Sequence, residues 1–247
     1  VEIIATCNIK GGVGKTSAVV SLAYLSARDV RRTLVWDLDP QGAATFLLRV
    51  RPHVKGGGKA LIRGTRPLDR AIRVTDFDGL DVLPADFTYR SMDLALDNAK
   101  KPTQRIARLL APLAGVYDTV FLDCPPGLSL VSENALHAAD LLLVPLIPTT
   151  LSLHTFDQLS EFLAGFEDSR PRVLAFFSMV DRRKRLHREI VERLPTERSD
   201  IAAAAIPALS AVEQMTVHRA PLPAFAPRSP AADQYERLWA ELRQRMG

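Results

Sequence analysis

The chain has 247 residues, 47% hydrophobic and 24% charged, with a formal net charge of +4; this balance fits a folded domain with a buried core and excludes a disordered or collagen-like chain. Its two cysteines, Cys7 and Cys124, have no CxxC or Cys/His spacing, which leaves a disulfide framework, a zinc site or an iron–sulfur cluster without support. No apolar run reaches the ~20 residues that span a bilayer, and the opening VEIIATCNIK lacks a signal peptide's basic and then long apolar order, so the expectation is a soluble, cytoplasmic protein.

In chain order, a short apolar run at 3–7 predicts a strand, followed by a glycine-rich turn and a helix over 16–27. Further strands are expected at 34–36, 80–83, 119–122, 141–144 and 173–180, and helices over 104–113, 152–163 and 186–194. Between them, RPHVKGGGK at 51–59 has lysine and glycines but neither a preceding strand nor a following Ser/Thr. It reads as a mobile surface loop. The proline-rich stretch 221–230 reads as an irregular connection to a last helix over 233–246. Alternating short strands and amphipathic helices predict an α/β fold: one domain, residues 1–247, with a doubly wound, mostly parallel sheet and helices on both faces.

The turn after the first strand, NIKGGVGKTS, is the strand–loop–helix setting of a phosphate loop. Backbone amides of Gly11, Gly12, Val13, Gly14, Lys15, Thr16 and Ser17 would surround phosphate oxygens, with the helix N-terminus adding its positive end. Lys15 would reach the β- and γ-phosphates, and the Thr16 hydroxyl would ligate Mg²⁺. One position departs from the usual pattern: Ile9 stands where the first glycine belongs, and beside it is a second lysine, Lys10. Two acidic stretches sit at the C-terminal ends of predicted parallel strands, Asp37 and Asp39 in DLDPQGAAT and Asp123 in VFLDCPPG. In an open α/β sheet, ligands bind at those ends.

The set KGGVGKT, DLDPQGAAT and YDTVFLDCPPGLSLVSENALHAADLLLVPL resembles the ParA/MinD superfamily of deviant Walker A ATPases, most closely the small ParA/Soj type. The resemblance extends to GLDVLPA at 79–85 and to Ile206-Pro207. It implies a P-loop NTPase fold, ATP and Mg²⁺ as cofactors, and a slow Mg²⁺-dependent ATPase. It makes Lys10 the signature lysine that reaches across a homodimer to the partner subunit's phosphates, so that Lys10, Lys15 and Asp39 carry catalysis. It further places Asp39 on the attacking water, Asp37 and Asp123 with Thr16 around the metal, and adenine near Met179 and Pro207.

After the strand at 173–180 comes DRRKRLHR, with Leu186, Ile190 and Leu194 every four residues. That spacing turns one helix face inward and leaves Arg182, Arg183, Lys184, Arg185 and Arg188 in water. In ParA-like proteins the matching segment binds double-stranded DNA without sequence preference, Arg183 corresponding most closely to the family's DNA-binding arginine. The stretch IPALSAVEQMTVHRAP departs from relatives that carry an arginine there, which leaves Arg219 as the nearest helper.

The resemblance thus implies an ATP-dependent dimer on the nucleoid that positions DNA or protein cargo and is released when a ParB-like or cargo-adaptor partner stimulates hydrolysis. With no N-terminal helix-turn-helix segment in view, operator-specific repression is not expected. The alternative is a MinD or flagellar-placement type of ATPase cycling on a membrane through its last helix. There Tyr235, Leu238, Trp239, Leu242 and Met246 share a face, but Glu236 and Glu241 dilute its basic charge and favour packing on the core. A metabolic enzyme or iron–sulfur carrier on the same fold is disfavoured by the cysteine spacing.

Overall fold

The computed structural model describes residues 1–99, 101–166 and 170–246. The strands are β1 (Glu2–Thr6), β2 (Thr33–Asp37), β3 (Arg73–Val74), β4 (Leu80–Leu83), β5 (Thr119–Asp123), β6 (Leu141–Leu146), β7 (Arg172–Val180) and β8 (Ile201–Pro207). They form one sheet in the order β3-β4-β2-β5-β1-β6-β7-β8, in which only the β3–β4 pair is antiparallel. The helices are α1 (Lys15–Arg28), α2 (Ala43–Leu47), α3 (Gly57–Arg63), α4 (Met92–Asp97), α5 (Arg105–Leu110), α6 (Leu130–Ala138), α7 (Thr150–Ala164), α8 (Arg185–Glu197), α9 (Ser210–Glu213), α10 (Met215–His218), α11 (Leu222–Phe225) and α12 (Pro230–Met246).

Successive strand residues serve opposite faces, as the pleat requires. On β5, Val120 and Leu122 join the core beneath α3 to α8, whereas Phe121 joins the one beneath α1, α2, α10, α11 and α12. Leu34 and Trp36 against Val35 on β2, and Ala175 and Phe177 against Leu174 and Phe176 on β7, divide the same way. Both faces are therefore dry, which explains why these strands read as continuous apolar runs. The expected doubly wound, mostly parallel sheet is the observed architecture.

Four details differ from the sequence reading. The segment 51–59 is not a mobile surface loop: Val54 is buried and its N–H donates to Asp86 Oδ2 (2.9 Å), and Gly57 and Gly58 open α3. The stretch 104–113 is not one helix. Only Arg105–Leu110 is α-helical, and Pro112, which has no N–H to donate, lies in a 3₁₀ turn after it. On α8 the inward face is His187, Ile190 and Leu194, while Leu186 is 47% exposed. His187 Nδ1 accepts the Asp181 N–H (3.1 Å), which ties the turn after β7 to the helix and selects histidine for the inward position.

The fourth difference is a strand that the sequence reading leaves out: β8, whose sequence IAAAAIP favours a helix by propensity. Its outer-edge amides find acceptors on α12: Ala203 and Ala204 donate to Glu241 (3.0 and 2.9 Å), and Ala205 donates to Gln234 (3.0 Å). Glu241, a dilution of basic charge in the sequence, thus closes the edge of the sheet. The apolar face of α12, with Tyr235, Leu238, Trp239 and Leu242, is buried in the core. None of the described helices is long and apolar enough to cross a membrane.

Asp29 fastens α12 to the end of α1, its Oδ2 accepting from Trp239 Nε1 (2.8 Å) and Arg243 Nη1 (3.1 Å). Asp29→Ala would leave the indole N–H without its acceptor, a loss of about 1–2 kcal/mol. The expected result is a lower urea midpoint at unchanged slope. An unmoved midpoint would remove Asp29 from that role.

Candidate functional site

The sheet register assembles the acidic half of the site. Asp123 on β5 pairs with Thr6 on β1 and with Asp37 on β2, so two carboxylates emerge side by side at the C-terminal ends of neighbouring parallel strands. The glycine-rich turn leaves β1 between them and β6. Gly12 and Gly14 take φ values of +70° and +86°, a left-handed backbone that a side chain would strain. Gly14 caps α1 without a side-chain acceptor, which leaves first-turn amides of α1 for an anion.

Side chains flanking the glycines and from β7 hold this loop. Asn8 Nδ2 donates to the Pro145 carbonyl (2.6 Å), and Asn8 Oδ1 accepts the Lys10 N–H (2.9 Å). From β7, Ser178 Oγ donates to the Val13 carbonyl (2.7 Å). Lys15 is buried, with Nζ 3.5 Å from the Lys10 carbonyl. The loop is therefore positioned before any ligand arrives, which lowers the ordering cost of binding.

The carboxylates occupy unequal environments. Thr16 Oγ1 donates to Asp123 Oδ2 (2.8 Å), whereas Asp123 Oδ1 is buried and has no partner among the described residues. Burial, with the nearby Asp37 charge, holds the Asp123 carboxyl well above the usual carboxylate range. Asp37 is also fully buried, and burial pushes it up to about 6. Its Oδ2 accepts from Thr45 N–H (2.8 Å) and Thr45 Oγ1 (2.7 Å), and its Oδ1 lies 3.3 Å from the Asp39 N–H. Thr45 Oγ1 in turn accepts the Ala85 N–H (2.8 Å), locking the 38–45 loop to β4's exit. Asp39 differs from both. It is half-buried, its Oδ1 accepts the Gln41 N–H (2.9 Å), and it borders the cleft.

That cleft has a volume of about 390 Å³. Gly11, Gly12, Val13, Gly14, Lys15, Thr16, Ser17, Asp39 and Met179, all expected from sequence, line it. Pro207 does not; the late wall comes instead from Val212, Glu213, Met215 and Thr216 at α9 and α10. Lys10 also lies outside the lining. Sequence reasoning missed Asn8, Thr45, Ser178 and the 212–216 wall. Two of these carry a signal, Asn8 as the first residue of NIKGGVGKTS and Thr45 as the last of DLDPQGAAT.

The basic cluster lies on the turn after β7 and the first turns of α8, and Arg182, Arg183, Lys184, Arg185 and Arg188 are all exposed. Flanking carboxylates temper it. Arg183 pairs through two nitrogens with Asp181 (2.9 Å each), which holds Asp181 well below the usual range, and Arg185 pairs with Glu189 (2.6 Å). Arg188 Nη1 donates to the Arg182 carbonyl (2.7 Å). Arg219 is not part of this cluster. It belongs to the opposite sheet face, its guanidinium 4.6 Å from the Phe46 ring centroid and its Nε bonded to the Phe46 carbonyl (3.1 Å).

Comparison with known proteins adds to this geometry. Residues 1–175 match the family described as AAA domain. The chromosome partitioning protein ParA of Myxococcus xanthus is 33% identical over 198 residues, covering 78% of this chain and 70% of that protein. The sporulation initiation inhibitor protein Soj of Bacillus subtilis is 29% identical over 247 residues, 98% of each chain. Among solved structures, cobyrinic acid a,c-diamide synthase from Mycobacterium smegmatis with bound ADP and magnesium superposes with a TM-score of 0.76 at 27% identity, over 88% of this chain and 90% of that one.

Proposed function

The chain belongs to the ParA/MinD superfamily of ATPases, and from that premise we propose that it is a nucleoid-bound ATPase that positions DNA or protein cargo. In this reading ATP closes a homodimer, the dimer binds double-stranded DNA without sequence preference, and hydrolysis stimulated by a ParB-like or cargo-adaptor partner releases it. The observation that carries the reading is a division of labour: a prebuilt phosphate loop and a half-exposed Asp39 line one cleft, and behind it the buried Asp123, bonded to the lining residue Thr16, keeps an orphaned oxygen.

The residues fit ATP with Mg²⁺. Asp123 Oδ1 is the kind of buried, unpartnered anion that a divalent cation satisfies, and the Thr16 hydroxyl lies within hydrogen-bonding distance of the same carboxyl. Thr16 and Asp123 would hold the metal, with Asp37 behind them. The bound metal would supply charge neutralisation on the phosphate oxygens. Loop amides and Lys15 hold the phosphates, and Asp39 orients the attacking water. Slow unstimulated turnover follows from a site whose own chain offers no arginine among the cleft-lining residues. Lys10, beside the phosphate loop but not among the residues that line the cleft, is assigned to the partner subunit's nucleotide on the family resemblance.

For the DNA surface, the pairing of Arg183 with Asp181 is no obstacle. Arg183 is 90% exposed, so the pair is screened by salt and exchanges readily for a phosphate. Two copies of the cluster in a dimer bind far more tightly than one. The membrane alternative loses its main element, because the apolar face of α12 is already buried.

Retention on DNA-coated beads and on anionic liposomes, each with ATP and ADP, tests the reading. Expected is ATP-dependent DNA retention that collapses with added salt. Liposome recruitment without DNA retention would overturn it. Arg183→Glu, which replaces a phosphate-binding cation by an anion in both subunits, should weaken DNA binding ~10-fold or more and flatten its salt dependence. ATP-dependent dimerisation should be unaffected, and an unchanged DNA isotherm would count against the cluster.

A further inference from the structure

On the sheet face opposite α1, a second cleft of about 890 Å³ opens between α3, the turn before α4, α4 itself and α5. It shares no lining residue with the phosphate-loop cleft. Its charge is one-sided. Lys59 and Arg63 enter from α3, Arg105 and Arg108 from α5, and no carboxylate among the described residues lines it.

Several arginines elsewhere carry acidic partners, Arg32 with Asp118, Arg49 with Asp76 and Arg237 with Asp233, while others, such as Arg66 and Arg70, make no ion pair among the described residues. Among the described residues, none of the four cleft cations makes an ion pair. Arg105 Nε donates to the Ile62 carbonyl instead, at the end of α3. On α4, Asp93 is engaged with the Val131 N–H (2.8 Å) and does not line the cleft.

Between the cationic helices the lining is apolar, with Ile62, Leu94 and Ala95. Leu94 is 68% exposed, and Phe87, next to the lining residue Thr88, is 66% exposed. The wall is prebuilt: Thr88 Oγ1 accepts the Gly58 N–H (2.9 Å) and donates to Asp86 Oδ1 (2.7 Å), joining α3 to the turn that precedes α4. Such a wall binds without first having to order itself.

The spacing narrows the class of occupant. Lys59 and Arg63 stand four apart on α3 and Arg105 and Arg108 three apart on α5, so each helix presents a cationic row. A small phosphate is gripped by convergent, buried donors, whereas Lys59, Arg63 and Arg108 are exposed and spread along two helices. The exposed Leu94 in the lining offers the kind of apolar anchor that protein segments use. We infer that this cleft docks an acidic, amphipathic segment of a partner protein, with carboxylates against the α3 and α5 rows and apolar side chains on Leu94 and Ala95. Charge complementarity selects the sign of the partner, and the apolar lining requires its second face.

Fluorescence anisotropy with the full chain tests this. The probe is a labelled synthetic peptide with leucine at every third or fourth position and glutamate between, compared with its glutamine counterpart, inorganic tripolyphosphate and duplex DNA. Expected is saturable binding of the glutamate peptide, the same with and without saturating ATP. The double variant Arg63→Glu/Arg108→Glu should weaken it ~10-fold or more. Leu94→Asp, on a different helix, should independently weaken it to a similar extent. Circular dichroism confirms that each variant is folded. Equal binding of the glutamine peptide, or undiminished binding by both variants, overturns the inference. So does capture of tripolyphosphate or DNA by this cleft, lost in the double variant, while the peptide fails to bind.

Discussion

Asp39→Ala is expected to reduce ATP turnover ~100-fold or more while leaving nucleotide binding and ATP-dependent dimerisation intact. The three carboxylates near the phosphate loop are not equivalent candidates for orienting water. Asp37 and Asp123 are fully buried, and the Asp37 oxygens are engaged by Thr45 and the Asp39 amide. Asp39 alone of the three is half-exposed and borders the cleft. Alanine also deletes the acceptor for the Gln41 N–H, so a lost turn could imitate lost chemistry. Asp39→Asn separates the two effects, because the amide oxygen can still accept that N–H while the charge is gone. Both variants should bind a fluorescent ATP analogue normally and fail in single-turnover phosphate release. An unimpaired rate in either one would remove the Asp39 carboxylate from the reaction. A rate restored by asparagine alone would make Asp39 a loop-shaping residue.

The distinction between Asp37 and Asp39 shows where sequence reading ends. Strand β2 and its acidic exit are visible as an apolar run followed by DLDPQ, because a strand covered on both faces must be apolar throughout. The glycine-rich turn is equally visible, since its φ values demand glycine. Which carboxylate is sealed depends on Thr45, eight residues on, turning back to Asp37, and that is tertiary geometry. The same holds for Ser178, whose hydroxyl reaches a carbonyl 165 positions away. It holds also for β8, where alanine's helical preference yields to backbone pairing with β7 and to acceptors on α12. On α8 the four-residue spacing places Ile190 and Leu194 inward as expected, but at the first turn His187 packs inward in place of Leu186, held by its bond to the Asp181 N–H. Local patterns identified elements; long-range hydrogen bonds decided which side chain acts.

Lys10→Ala should abolish the ATP-dependent dimer at concentrations where the native chain is fully dimeric, with nucleotide still bound to the monomer. The substitution is unusually clean. The backbone at position 10 is fixed by Asn8 Oδ1 on its N–H, and its carbonyl is the group that Lys15 approaches. Truncation at Cβ removes none of this, and the Lys10 side chain does not line its own cleft. Loss of function would therefore report on the side chain's distant end. In the proposed two-fold dimer the contact would occur twice, so a loss of about 2 kcal/mol for each buried charge–phosphate contact would weaken association by ~10³-fold. Sedimentation velocity with a non-hydrolysable ATP analogue reads this directly, and nucleotide affinity measured on dilute monomer should be unchanged. If the variant forms a normal dimer, the second lysine of NIKGGVGKT is an ordinary loop cation and the cross-subunit contact is wrong. If the dimer is lost together with monomer nucleotide affinity, Lys10 serves its own subunit's phosphates, and the extra charge at the departure from the glycine pattern has a local explanation.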